Sequence, residues 1–317
     1  MSRLIRTRWA LFGGGSALVG LGLVTGGAVA APAPMLSTPA SAAPKISVDI
    51  TSNRHAIAPE IYGVSYGNDA FIAAARPGLV RWGGNRSTRF NFRNGATNTG
   101  SDWYFDNEPT LWNSTHHDVH PDPVTGDELF GSSTAVADII TSRDPAAIVS
   151  GPGDWGWCAY FYYPSDPGAC SNGDEKAAHG GLDLVAAYLK AFKVHDAAAG
   201  NRTLDILDEH FYPQSGVFTV YEGDAAQQAL RLRSTRALWD PTYVDESWIN
   251  RPVKLIPRMR AWVAKYYPGT KLGIGEYNFG ALDTVNGALA EADVLGILGR
   301  EGVASAALWA PPTTANS

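Results

Sequence analysis

Short apolar runs alternate with amphipathic stretches along most of this 317-residue chain, and nothing else in it limits the possible folds so strongly. Runs that read as strands lie at 60–66, 78–82, 103–107, 146–150, 203–210, 271–276 and 304–309. Helical periodicity marks 133–142, 181–199, 253–266 and 287–300. Within 181–199, Leu182, Val185, Leu189 and Phe192 recur at three and four residues, and Gly200 stops the pattern. Such strand–helix alternation builds a parallel sheet. At this length the natural form is α/β, a (β/α)8-type TIM barrel. Seven strands are read where closure needs one more, so the barrel is expected to be incomplete. The connection from 78–82 to 103–107 is polar, rich in Asn, Gly and Thr, and carries no helical period. Lys45–Thr51 alternates cleanly and is expected to be a stray N-terminal β-strand of another sheet.

The start of the chain reads as an address. Arg3, Arg6 and Arg8 precede an apolar, Gly-rich stretch over 9–29, and Ala28-Val29-Ala30 supplies a small-residue cleavage site. Residues 1–30 are therefore expected to be a bacterial secretion signal, 31–44 a linker and 45–317 the folded domain. The mature protein is expected to be extracellular, monomeric and free of the membrane. Export makes a Cys158–Cys170 disulfide the expected state of the two cysteines, with free thiols the alternative. Formal net charge is −6 with no basic block after the first residues, which argues against a nucleic acid partner. Ten tryptophans are enough to supply both a core and a groove for flat ligands.

Two carboxylate motifs end apolar runs. Asn107-Glu108-Pro109 follows Trp103-Tyr104-Phe105, and Glu276-Tyr277-Asn278 follows Leu272-Gly273-Ile274. Two carboxyls at strand ends of one barrel face are what glycosidic bond cleavage requires. Pro109 cannot donate to a ladder and fixes the end of its strand. His116 and His120, with Asp118 between them, have the His-x3-His spacing of metal ligands, but no further ligand stands out to complete a site, and solvated side chains are the better reading. The tripeptides beginning at Asn85, Asn113 and Asn201 match glycosylation acceptors, a coincidence in a bacterial chain.

Read in order, the motifs resemble glycoside hydrolase family 44, secreted endoglucanases and xyloglucanases. The resemblance rests on Ile61-Tyr-Gly-Val-Ser-Tyr66, Arg81-Trp-Gly-Gly-Asn85, Gly100-Ser-Asp-Trp-Tyr-Phe105 and Asp106-Asn-Glu-Pro-Thr-Leu-Trp112. It continues through Trp155-Gly-Trp157, His210-Phe-Tyr-Pro-Gln214, Leu232-Arg-Ser-Thr-Arg236, Gly275-Glu-Tyr-Asn278 and Leu308-Trp309. It implies a β-glucan substrate, no cofactor and a retaining double displacement, with Glu108 as acid/base and Glu276 as nucleophile. It also implies that one β/α unit is missing near 105–106 and that a β-sandwich after the barrel is absent.

Strand alternation and position assign the supporting roles. An inward Arg81 is expected to bond Glu276, keep it ionised and lower its pKa. Asn107 is placed to bond a sugar 2-hydroxyl. His210 and Tyr212 end another strand and are expected to orient Glu276, with Asp208 and Glu209 behind them. Trp82, Trp112, Trp155, Trp157 and Trp309 are candidates for sugar stacking, and Asn85 and Tyr277 join the substrate-contact set. The rival readings are a polysaccharide binder without turnover, and the same barrel acting on xylan or mannan.

Overall fold

The computed structural model describes residues 47, 49–52, 54–81, 97–98, 107–108, 125–154, 156–166, 170–217 and 221–311, with the backbone alone at 97–98 and 107–108. The chain divides into two compact units, Met1–Arg54 and His55–Ser317. In the first, Asp49 organises a turn. Its carboxylate accepts bonds from the Thr51 amide (2.9 Å), the Thr51 hydroxyl (2.6 Å) and the Ser52 hydroxyl (2.8 Å). Such local bonds compete with a ladder. The described residues of 45–51 are accordingly not the strand that their alternation suggests.

The second unit runs β1 (Gly63–Ser65), α1 (Asp69–Ala75), β2 (Leu79–Arg81), β3 (Thr97–Asn98), β4 (Asn107–Glu108), α2 (Gly126–Arg143), β5 (Ser150–Asp154) and α3 (Asp174–Ala178). It continues with α4 (Leu184–Ala199), β6 (Ile206–Phe211), α5 (Ala225–Ser234), α6 (Leu255–Tyr266), β7 (Lys271–Tyr277), α7 (Val285–Arg300) and β8 (Ser305–Trp309). Six strands form one sheet in the order β2-β1-β8-β7-β6-β5, and every pairing is parallel. The first strand beside the last is the neighbour order of a barrel wall. Among the described residues the wall is open, with β2 and β5 as its edges.

Of the strand expected at 103–107, only Asn107 is described, and it is not part of this wall. Residues 103–106 lie outside the described residues, and β4 pairs antiparallel with β3, Thr97 opposite Glu108 and Asn98 opposite Asn107. Segments this close in sequence can pair antiparallel, whereas a parallel pairing needs a longer crossover. The strand expected at 146–150 begins instead at Ser150. Asp205 explains the shift, because its carboxylate accepts the Val149 amide at 2.9 Å while its own amide bonds the Val149 carbonyl.

Helices cover the sheet because their apolar stripes face it. On α4, Leu184, Val185, Leu189 and Phe192 are all buried. They pack in one core with Ile256, Met259 and Val263 of α6, Val294 and Leu298 of α7, and Leu207 and Leu272 of the sheet. Burying each such side chain contributes about 1.5–3 kcal/mol. Gly200 ends α4 at φ 69°, its amide bonding the Asp196 carbonyl. Thr125 caps α2 and Thr284 caps α7, each accepting an amide of the first turn. Cys158 and Cys170 are joined, closing the loop after β5. No described helix is long and apolar enough to cross a membrane.

Candidate active site

Parallel pairing sends the C-terminal ends of all six wall strands to one rim, and the candidate site is built there. The key element is an irregularity between β6 and β7. Asp208 pairs with Gly273 and Glu209 with Ile274, but His210 pairs with Glu276. Gly275 is the extra residue of a β-bulge. Strict alternation would send Glu276 to the same side as the buried Ile274. The bulge reverses that parity, so Glu276 faces His210 and Tyr277 takes the helix side.

Among the described residues, each oxygen of Glu276 receives one hydrogen bond. Arg81 Nη1, from the end of β2, lies 2.5 Å from Oε1. The Tyr212 hydroxyl, just past β6, donates to Oε2 at 2.7 Å. His210 Nδ1 lies 3.4 Å from the same oxygen. His210 is buried, and burial followed by the Arg81 charge pushes its pKa down to about 3, so the imidazole is neutral. The Tyr160 hydroxyl holds the His210 carbonyl from behind. Burial pushes the Tyr212 hydroxyl well above its ordinary pKa, and the Glu276 charge adds to that, so it remains a donor.

Beneath Glu276 sits Asp208, whose pKa is raised to about 6, first by burial, against the opposing pull of the Gly275 amide and Arg81. A side chain at Gly275 would strike this carboxyl, since an ideal Cβ there falls 2.4 Å from Oδ2. Trp309 ends β8 beside this cluster. Its ring meets Tyr66 edge-on at 5.5 Å and lies 6.0 Å from Arg81 Cζ. Asn278 Nδ2 bonds the Trp309 carbonyl at 2.8 Å. The result is an oriented carboxylate with a neutral imidazole beside it and an aromatic ring on its flank, an arrangement able to serve as nucleophile or base.

Of the residues singled out in the sequence, the structure brings together Arg81, His210, Tyr212, Glu276 and Trp309. Trp82, Asn85, Trp112 and Trp155 lie outside the described residues, as do His116, Asp118, His120 and the side chains of Asn107 and Glu108. Tyr277 is a correction. It is 1 % exposed and donates to Glu291 on α7 at 2.8 Å, because the bulge turns it away from the cleft, so it cannot contact substrate. Trp157 does not join the cluster around Glu276. It packs on Phe161 at 4.7 Å, with Arg258 Cζ 5.2 Å from its ring. Glu209 is fully buried on the face opposite Asp208, and burial raises its pKa well above the ordinary range, helped by Asp154 and Asp208. Asp154, its partner across the β5–β6 ladder, is raised to about 7 by burial.

Trp248 is not among the site residues that the sequence suggests. It is 59 % exposed, and its indole N–H donates to Gln214 Oε1 at 3.3 Å. Gln214 in turn donates to the Tyr212 carbonyl at 2.9 Å, which ties an exposed aromatic plane to the residue that holds Glu276. Trp248 lies in an irregular segment where neither period applies, and the one available signal was the nearness of Gln214 to Tyr212. Among the described residues, no group of three or more His, Cys, Asp or Glu is arranged to hold a metal.

The sequence model of glycoside hydrolase family 44 matches residues 91–215. The chain is 36% identical over 228 residues to beta-mannanase/endoglucanase A of Caldicellulosiruptor saccharolyticus, and 36% identical over 229 residues to endoglucanase A of Paenibacillus lautus. Those matches take in 65% and 69% of this chain but only 17% and 32% of the two relatives, so the chain spans about a third of their length or less. The crystal structure of CelM2, a bifunctional glucanase-xylanase from a metagenome library, resembles it with a TM-score of 0.74 at 30% identity. That likeness covers 83% of this chain and 75% of CelM2. The barrel-wall strand order, the motifs and these likenesses agree, and the chain belongs to glycoside hydrolase family 44.

Proposed function

We propose that the chain is a secreted, endo-acting hydrolase of β-1,4-linked glucan, working by a retaining double displacement. Glu276 attacks the anomeric carbon and forms a glycosyl–enzyme ester. Glu108 protonates the departing glycosidic oxygen. Glu108 then takes a proton from the water that opens the ester. No cofactor enters this chemistry. The observation that carries the reading is Glu276 at the β7 end with a donor on each oxygen, since a nucleophilic carboxylate must be oriented before the sugar arrives. His210, kept neutral, adds a polar contact without a second full charge. Trp309 and Trp248 are the described aromatic planes on which sugar rings would lie. The names of the relatives support glucan as the substrate class, and their mannanase and xylanase labels make mannan and xylan the polymers to compare with it.

The test is a reducing-sugar assay on carboxymethyl cellulose, xyloglucan, xylan and mannan, with Glu276→Ala alongside. The substitution is expected to abolish hydrolysis, and azide to restore part of it by attacking the vacated site. Unchanged turnover in Glu276→Ala, or no rescue by any small anion, removes Glu276 as nucleophile.

One observation favours a second reading, a polysaccharide binder without turnover. The described parallel wall has six strands, and the Asn107–Glu108 backbone sits in a separate antiparallel pair. A misplacement of the acid by about an ångström costs about a hundredfold in rate. Binding to these polymers without new reducing ends selects this reading.

A further inference from the structure

Arg231 on α5 is 1 % exposed, and every hydrogen-bond acceptor it finds among the described residues is uncharged, with the Glu222 carboxylate acting on it only through its charge. A buried cation is normally neutralised by a carboxylate. Here the guanidinium is surrounded by carbonyl and amide oxygens. Nε donates to the carbonyls of Phe279 (2.9 Å) and Val217 (3.2 Å). Nη2 donates to the carbonyls of Val217 (3.0 Å) and Tyr221 (2.9 Å). Nη1 donates to the Glu222 carbonyl (2.8 Å) and to Asn286 Oδ1 (2.6 Å). Burial draws its pKa down, yet arginine stays protonated in proteins.

The accepting oxygens come from three places: the loop after β6, the loop after β7 and the first turn of α7. The first loop begins with Tyr212, which holds Glu276, and carries Gln214, on which Trp248 rests. The second follows Glu276 directly, with Phe279 three positions on. Asn286 closes the arrangement by donating to the Gln228 carbonyl of α5 at 3.2 Å. One planar, five-donor group thus sits behind both loops that present Glu276 and its hydroxyl donor. A lysine has three donors at a single point and cannot span these oxygens.

We propose that Arg231 is a positioning residue for hydrolysis, its guanidinium fixing the loops after β6 and β7 so that Tyr212 and Glu276 keep their contact. The proposal rests on the reading of Glu276 as nucleophile. Arg231 touches no substrate and acts only through the loops.

The experiment compares wild type, Arg231→Lys, Asn286→Ala, Tyr212→Phe and the Arg231→Lys/Tyr212→Phe double variant. The substrate is a dinitrophenyl β-cellobioside, whose good leaving group needs no acid assistance, so the nucleophilic step is read. Arg231→Lys is expected to lower kcat about 10- to 100-fold with KM within about threefold, as for loss of transition-state positioning alone. The double variant is expected to be little worse than Tyr212→Phe, because both changes break one contact. Hydrogen exchange is expected to rise in 212–217, 221–222 and 278–282 while β6 and β7 keep their protection, a readout that needs no turnover. Should Arg231→Lys fail to fold, Asn286→Ala, which keeps the arginine and removes one acceptor, must show the same pattern at smaller size. Wild-type kcat in a folded Arg231→Lys, multiplicative losses in the double variant, or exchange raised evenly across the chain overturns the proposal. Glu276→Ala run beside these separates the two claims. If it is inactive and rescued by azide while Arg231→Lys behaves as wild type, only the role of Arg231 falls.

Discussion

Among the described residues, the Tyr212 hydroxyl is the neutral group that donates a hydrogen bond to Glu276, and it occupies the oxygen that Arg81 leaves open. Its removal leaves Oε2, among the described residues, with His210 at 3.4 Å, too long for a good bond. Tyr212→Phe is expected to lower kcat/KM about 10- to 100-fold while leaving the fold intact, a loss on the order of 1.4–2.7 kcal/mol. Steady-state kinetics on a soluble cello-oligosaccharide measure it, and a change within twofold would mean that the hydroxyl does not hold the reacting carboxylate. Glu276, Arg81, His210 and Tyr212 were legible in the sequence because each sits at or next to a strand end, where alternation and barrel geometry both apply. The link from Trp248 through Gln214 to Tyr212 was not, since both residues lie in irregular chain where only the folded backbone decides what is near. Tyr277 was misread for a related reason. Its side depends on a one-residue bulge that no apolar pattern reports.

That bulge is also what makes β7 a functional element. Gly275 leaves room for the Asp208 carboxyl, and a methyl group there would meet both carboxylate oxygens, at 2.4 and 2.7 Å from an ideal Cβ. Gly275→Ala is expected to displace Asp208 or straighten the bulge, costing about 1–3 kcal/mol of stability and more than tenfold in activity. Adding Asp208→Ala is expected to recover much of the lost melting temperature, because the collision partner is gone. Equal melting temperatures for Gly275→Ala and wild type would show that the space is not needed. Among the other elements, α4 was legible because its buried residues keep a helical period. By contrast, α5 was missed. Only Arg231 and Ser234 are buried on it, so it has no apolar stripe to read, and it starts from a capping box formed by Asp224 and Gln227. Likewise, β5 was placed too early because Ala146–Val149 is apolar, whereas the true strand is Ser-Gly-Pro-Gly-Asp.

At the scale of the whole molecule, several carboxyls are kept out of water. Burial raises Asp154 to about 7, Asp208 to about 6 and Glu291 to about 7, and pushes Glu209 well above its ordinary range. In the unfolded chain the same groups ionise near pH 4. The folded chain therefore binds more protons between those values, and the sign follows. Their stabilising contribution is complete below about pH 4 and is lost as pH rises through 6 to 7. His210, held down to about 3, acts in the opposite direction, since the unfolded imidazole takes up its proton near 6.5. Four acids outweigh one imidazole. The melting temperature is expected to fall by a few degrees between pH 5 and pH 8, and Glu291→Gln is expected to flatten that slope. Calorimetry at several pH values checks this, and a melting temperature that rises over the interval contradicts the neutral state of these groups.

The pairing of β1 with both β2 and β8 imposes an order of events on a chain made from one end. Gly63–Ser65 emerges early from the ribosome, yet one of its two neighbours is not synthesised until Ser305–Trp309. The pairs β1–β2, β5–β6 and β6–β7 need nothing from the last strand, but the two halves of the described sheet are joined only through β8, so β1 keeps one bare edge until the end of the wall is made.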